Sequence, residues 1–177
     1  MTFYIEELRT WVRSFLKKHH QIFDHVDHGF LPTRFSKHTW VIPGDHGANS
    51  PQIGEGVWIG AFCLIDGRRS LLKIGKGTNV SSGAQILTHS TVKRCITEGK
   101  YDPVDTAPTE IGEYCFIGTN AVVLMGAKVG HHSVIGAGAV VPEFANIPPW
   151  SIATGIPAKV VGDSHKYLKK SWKRKSK

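Results

Sequence analysis

The histidine of "GAQILTHSTVKRC", residues 83 to 95, stands where a regular pattern stops. A long irregular passage follows His89, and only then does the pattern resume. An imidazole at such a break has a defined use. Its neutral form, with a reference pKa near ~6.5, can take a proton from a hydroxyl or amine near neutral pH, the work of a general base. The other histidines carry less. His19, His20, His25, His28, His38 and His46 crowd the N-terminal segment, where "DHVDH" has a metal-like look but is read as solvated, and no metal is expected. His131 and His132 fall in a corner and are expected to face solvent. Cys63, Cys95 and Cys115 form no CxxC pair, which argues against a disulfide framework and for a reducing, cytoplasmic compartment.

The pattern that His89 interrupts has a period of six. Ile53, Ile59 and Ile65 form one run, and Ile74, Val80 and Ile86 a second. Ile111, Ile117, Val123, Val129, Ile135, Val141 and Ile147 form a third, with small residues such as Cys115, Ala121, Ala127, Ser133, Ala139 and Ala145 four positions on. Neither a helix (3.6) nor an isolated strand (2) has this period. Short strands joined by tight corners do, three to a coil, and stacked coils bury each other's faces in parallel sheets. Glycine after the aliphatic relieves crowding at the corner.

Two steps break the rhythm. Ile65 to Ile74 implies a short insertion at "GRRSLL", and Ile86 to Ile111 a much longer excursion spanning residues 90–110. Excursions of that length in a compact repeat are functional or disordered. The domain organisation is therefore a cap over 1–50, a coiled domain over 51–162 with its loop at 90–110, and a basic tail over 163–177. Ile5, Leu8, Val12 and Phe15 have helical spacing in the cap. No apolar run spans a bilayer, and the N-terminus lacks the order of a secretion signal. Much of the formal +8 lies in "KYLKKSWKRKSK", which holds seven basic residues and no acidic one. It reads first as a solvated end. Attraction to an anionic cofactor and peripheral contact with a membrane are the sharper readings, and no nucleic-acid module accompanies the charge, so no nucleic-acid partner is expected.

The segment from about Ile53 to Val161 resembles the hexapeptide-repeat acyltransferases, on "ILTHS", "EIGEYCFIGTNAVVLMGAKVG", "SVIGAGAVV" and "IPPWSIATGIPAKVVG". Within them it looks most like the sugar and polysaccharide O-acetyltransferases. The resemblance implies a left-handed parallel β-helix, an exception to the usual crossover hand. It implies acetyl-CoA as acyl donor, a homotrimer with the site in a groove between copies, and His89 as general base. Thr119 and Ala137 match positions that bind the pantetheine, and Lys159 of "GIPAK" matches a cation that meets the phosphates. Asp66, Arg68 and Arg69 fall where relatives contact the acceptor. Three departures stand out. Ser90 replaces an acidic residue common in one branch, leaving the orienting partner of His89 open. Glu143 replaces a cation, and Phe116 a tryptophan.

The reading is thus an acetyl-CoA-dependent acetyltransferase acting on a hydroxyl of a sugar or glycan. N-acetylation of an amino-sugar nucleotide is the alternative within the class. A γ-carbonic-anhydrase-like zinc lyase lacks its second histidine, because position 94 is Arg94, and zinc needs about three converging ligands. A non-catalytic β-helix scaffold leaves the histidine and the "GIPAK" ending unexplained.

Overall fold

The computed structural model describes residues 21–22, 33–35, 38–44, 51–101 and 103–168. The helix expected over residues 4–18 lies outside them, as does most of the basic tail. Three parallel sheets wrap into a left-handed β-helix of about five turns. The chain visits them in a fixed order. The first face holds Trp40–Ile42, Leu64–Asp66, Gln85–Ile86, Val122–Val123 and Val140–Val141. The second holds Gln52–Ile53, Leu72–Ile74, Thr109–Ile111, Lys128–Val129 and Asn146–Ile147. The third holds Thr33–Phe35, Val57–Ile59, Asn79–Val80, Phe116–Ile117, Val134–Ile135 and Ser151–Thr154, closed by an antiparallel strand Lys159–Asp163.

The six-residue aliphatics all point into the prism. Ile59, Ile65, Ile74, Val80, Ile86, Ile111, Ile117, Val123, Ile135 and Val141 are essentially inaccessible to water. Each fully buried aliphatic contributes roughly 1.5–3 kcal/mol. The register is one coil on the next: Ile111 pairs with Ile74 and Val129, and Ile117 with Val80 and Ile135. The small residues fill the corners. The Cys63 and Cys115 thiols give hydrogen bonds to the Ser81 and Gly130 carbonyls at 3.1 Å, and burial pushes both thiols above their ordinary pKa. They are protonated corner fillers, not nucleophiles.

The glycines after the aliphatics are required by contact rather than by dihedral. A Cβ on Gly112 would lie 2.6 Å from the His131 nitrogen, and one on Gly54 2.6 Å from the Lys76 nitrogen. Positive φ belongs instead to the outer corner residues, including Tyr114, Asn120, His132, Phe144 and Trp150. Rings stack up one edge: the Tyr114 ring occupies the space that a side chain on Gly77 would fill, His132 stacks on Trp150 at 4.2 Å, and Trp150 on His165 at 3.9 Å. His132 is therefore half-buried in a stack, whereas its neighbour His131 faces solvent as expected.

Two features differ from the sequence reading. The coil begins upstream of residue 51, because Thr33–Phe35 and Trp40–Ile42 already pair in parallel with Val57–Ile59 and Leu64–Asp66. Their spacing to the next coil is stretched, which hides the rhythm. The long excursion also has internal order. His89–Ser90 and Asp105–Thr106 form an antiparallel ladder, with a short exposed helix, Val92–Ile96, between them.

The outward residues, one before each buried aliphatic, differ by face. On the first face they are Trp40, Leu64, Gln85, Val122 and Val140 in register. On the second they are Gln52, Lys73, Glu110, Lys128 and Asn146. The third is mixed, with Trp58, Asn79, Phe116 and Val134.

Candidate active site

Among the described residues, both loops that leave between successive coils do so at one corner, between the first and second faces. Residues 67–71 leave there, and in the next coil so do residues 87–108. Their bases are tied together. Thr88 Oγ1 donates to the Asp66 carbonyl at 2.8 Å, Thr109 Oγ1 to the Leu87 carbonyl at 2.7 Å, and the Ala107 N–H to the Thr88 carbonyl at 3.1 Å. Thr88 and Thr109 are buried, so these bonds fix where each loop departs.

This geometry sets His89 over Asp66. The His89 Nδ1 lies 3.2 Å from the Asp66 Oδ2, with side-chain exposures of 28% and 6%. The nitrogen is buried and makes no hydrogen bond of acceptable geometry, so the two groups are in close approach without an aligned N–H···O contact. The other carboxylate oxygen accepts the Arg68 N–H at 3.0 Å. A carboxylate beside Nδ1 favours the tautomer with its proton there. It leaves the Nε2 lone pair for a reacting group. Arg68 is half-buried and Arg69 exposed on the same short loop. On the excursion, the Tyr101 hydroxyl donates to the Asp105 carboxylate at 3.1 Å, and the Lys93 ammonium sits 3.6 Å from the Tyr101 ring centre.

Thr119 and Ala137 are placed elsewhere. Both are exposed, one coil apart, at the corner between the third and first faces. A Cβ on Gly118 would run into the Ala137 nitrogen, so only backbone fits between those coils. Lys159 is exposed at the top of the same edge, paired with Thr154. The structure therefore makes two groups of the residues singled out in the sequence. His89, Asp66, Arg68 and Arg69 share one corner; Thr119, Ala137 and Lys159 share another. The first face lies between them. The contact of Asp66 with His89 is the feature the sequence reading missed. Coil arithmetic could have found it, since Leu64 and Ile65 pair with Gln85 and Ile86, which puts residue 66 under residue 87. Among the described residues no three potential metal ligands converge.

Comparison with known proteins agrees with the coil. The family model "bacterial transferase hexapeptide (six repeats)" matches residues 108–143. Among curated proteins, a 2,3,4,5-tetrahydropyridine-2,6-dicarboxylate N-succinyltransferase of Xylella fastidiosa is 29% identical over 122 residues, 60% of this chain and 39% of that protein. The corresponding N-acetyltransferase of Staphylococcus aureus is 32% identical over 87 residues, 49% of this chain and 31% of that one. The chain thus spans well under half the length of these relatives. Among solved structures, a hexapeptide-repeat acetyltransferase from Vibrio cholerae superposes with TM-score 0.54 at 20% identity, covering 90% of this chain and 92% of that one. AntD, an N-acyltransferase from Bacillus cereus solved with dTDP and 3-hydroxybutyryl-CoA, superposes with TM-score 0.56 at 17% identity, covering 77% and 68%. With the inward ladder, the corner glycines and the matched repeat all in place, the chain carries the bacterial transferase hexapeptide repeat over residues 108–143 and winds it into a left-handed parallel β-helix like that of the hexapeptide-repeat acyltransferases it resembles.

Proposed function

We propose that this protein is an acyltransferase that moves an acetyl group from acetyl-CoA to a hydroxyl of a sugar or glycan, with His89 as general base and Asp66 as its positioning partner. The single observation that carries the reading is the 3.2 Å approach of the His89 Nδ1 to the buried Asp66 carboxylate, at the corner where both loops leave the prism. The acceptor oxygen attacks the thioester carbonyl carbon while the His89 Nε2 takes its proton. The tetrahedral oxyanion collapses, the carbon–sulfur bond breaks, and the imidazolium returns the proton to the departing thiolate. Asp66 steadies the transient imidazolium. Arg68 and Arg69 stand beside this pair as contacts for the acceptor.

Two corners must meet for this to work. A ring of copies with the first face turned to a common axis sets the His89 corner of one copy beside the Thr119–Ala137 corner of the next. A closed three-fold ring satisfies every head-to-tail contact. The apolar outer rib of the first face supports that orientation, because Trp40, Leu64, Val122 and Val140 gain from burial. In such a ring Thr119 and Ala137 line the pantetheine path and Lys159 meets the phosphates.

The test is transfer of labelled acetyl from acetyl-CoA to a panel of sugars, nucleotide sugars and oligosaccharides, read by product mass. His89→Ala should slow transfer by about two to four orders of magnitude with the acetyl-CoA dissociation constant little changed. Near-normal turnover of that variant removes the assignment. N-transfer to an amino-sugar nucleotide is the second reading, favoured by the fold likeness to AntD. An alkali-stable amide product in place of an alkali-labile ester would select it.

A further inference from the structure

One end of the prism carries apolar surface that the acyl-transfer reading leaves unused. The closing strand Lys159–Asp163 is exposed at every residue. Among the described residues it is the last strand of its sheet. Around it stand Ile156, Val160, Val161, Tyr167 and Leu168, with exposures between 49% and 77%. The pairing shifts register here, Ile152 facing Gly162 and Ala153 facing Val160, so Val161 is the extra residue of a bulge, and both valines stand exposed among the described residues. Apolar clusters of this kind on a soluble surface mark a contact.

The chemistry next to the cluster says what the contact is. Residues 166–177, "KYLKKSWKRKSK", follow directly and bring seven basic groups, no acidic group, and two aromatic residues, Tyr167 and Trp172. A second copy seated end to end on the hairpin would set two such segments against each other, which like-charge repulsion opposes. A membrane with anionic headgroups offers an apolar layer and negative charge at once. Interfacial binding scales with those same two terms. Tyrosine and tryptophan favour the headgroup level, where one side of the ring is wet.

We propose that this end of the prism docks on an anionic lipid bilayer, the apolar hairpin entering the headgroup layer while the segment 166–177 neutralises its surface charge. The hairpin also carries Lys159, which the acyl-transfer reading places on the phosphates, but the proposal is tested only at Val160, Val161 and residues beyond 168, none of which belongs to that site.

Co-sedimentation of the full chain with vesicles tests it. Vesicles of equimolar phosphatidylcholine and phosphatidylglycerol should carry the protein down, and phosphatidylcholine alone should not. High salt should release it, because exposed charges are screened. Replacing Lys173, Arg174 and Lys175 together by Gln should weaken binding roughly a hundredfold, since each basic residue near an anionic surface contributes about fivefold. Val160→Ser with Val161→Ser should weaken it about tenfold while leaving the salt dependence in place. Equal binding to both vesicle types, or no binding to either, overturns the proposal. So does tighter capture by a fluorescent single-stranded DNA oligonucleotide than by the mixed vesicles. Concentration-dependent end-to-end association without lipid, abolished by the Val160 and Val161 changes, overturns it in favour of a second copy.

Discussion

The first and second faces are built from one six-residue unit and bury the same aliphatic side chains, yet their outer ribs are opposites. Trp40, Leu64, Val122 and Val140 line the first, with Gln85 the one polar residue between them. Lys73, Glu110 and Lys128 alternate in charge along the second, where Lys128 approaches Glu110 at 3.7 Å and Lys76 approaches Glu113 at 3.6 Å. Inward side chains decide that a coil forms at all. The outward residue, one position earlier, decides what each flank of the coil meets. A face ribbed with valine and leucine loses free energy in water, and a face of alternating lysine and glutamate does not. The corner that holds His89 and Asp66 lies on the boundary between the two.

This contrast can be broken in order of size. Val122→Asp together with Val140→Asp puts two charges on the apolar rib; the proposed three-fold ring should fall to single copies in analytical ultracentrifugation, and transfer should drop as far as in His89→Ala. Retention of both assembly and rate would mean the first face is not the contact. An inward change is blind to the distinction between faces. Ile135→Ala should cost about 2–5 kcal/mol in urea unfolding, through lost burial and the cavity left behind. Asp66→Asn keeps the shape beside His89 but removes the charge. It should lower kcat by about one to two orders of magnitude, part of what a positioned base supplies, with the KM for acetyl-CoA unchanged. An equal loss in a His89→Ala background would show instead that Asp66 acts on its own. The smallest effect belongs to the charged rib. Glu110→Ala should change stability by about 0.5 kcal/mol or less, because both partners are exposed and the pair is screened. Loss of assembly in that variant would reverse the roles of the two faces.

The inward ladder was legible in the sequence because a spacing of six records one side of every strand. Seven successive aliphatics from Ile111 to Ile147 specify the register of the whole C-terminal half. The outer ribs were also written there, as the residue before each aliphatic, but they emerge only when every third strand is compared. The pair of His89 and Asp66 was harder. It joins residues on two coils, one carrying a short insertion and the other a long one, so no fixed spacing announces it. Ser90 drew attention to the adjacent position, while the acid that sits beside the imidazole comes from the coil below. The first coil was missed because Thr33–Phe35 and Trp40–Ile42 lie in a stretch of His, Gly and Pro whose steps to the next coil are lengthened. The corner rings were invisible for another reason: positive φ at Tyr114, His132 and Trp150 is imposed by the turn and is not a preference of those residues.

Because three strands complete one circuit, the prism has a natural quantum of length. Excising residues 118–135 would remove one whole storey and set Ile117 beneath Ala153, which now stacks on Ile135, with every edge still aligned. Excising only residues 118–123 would rotate all later storeys by one side, setting the Lys128 rib above the strands of the wrong wall. A lineage of such chains can therefore grow taller or shorter by duplication in steps of a full circuit, while the doorway at His89 stays where it is.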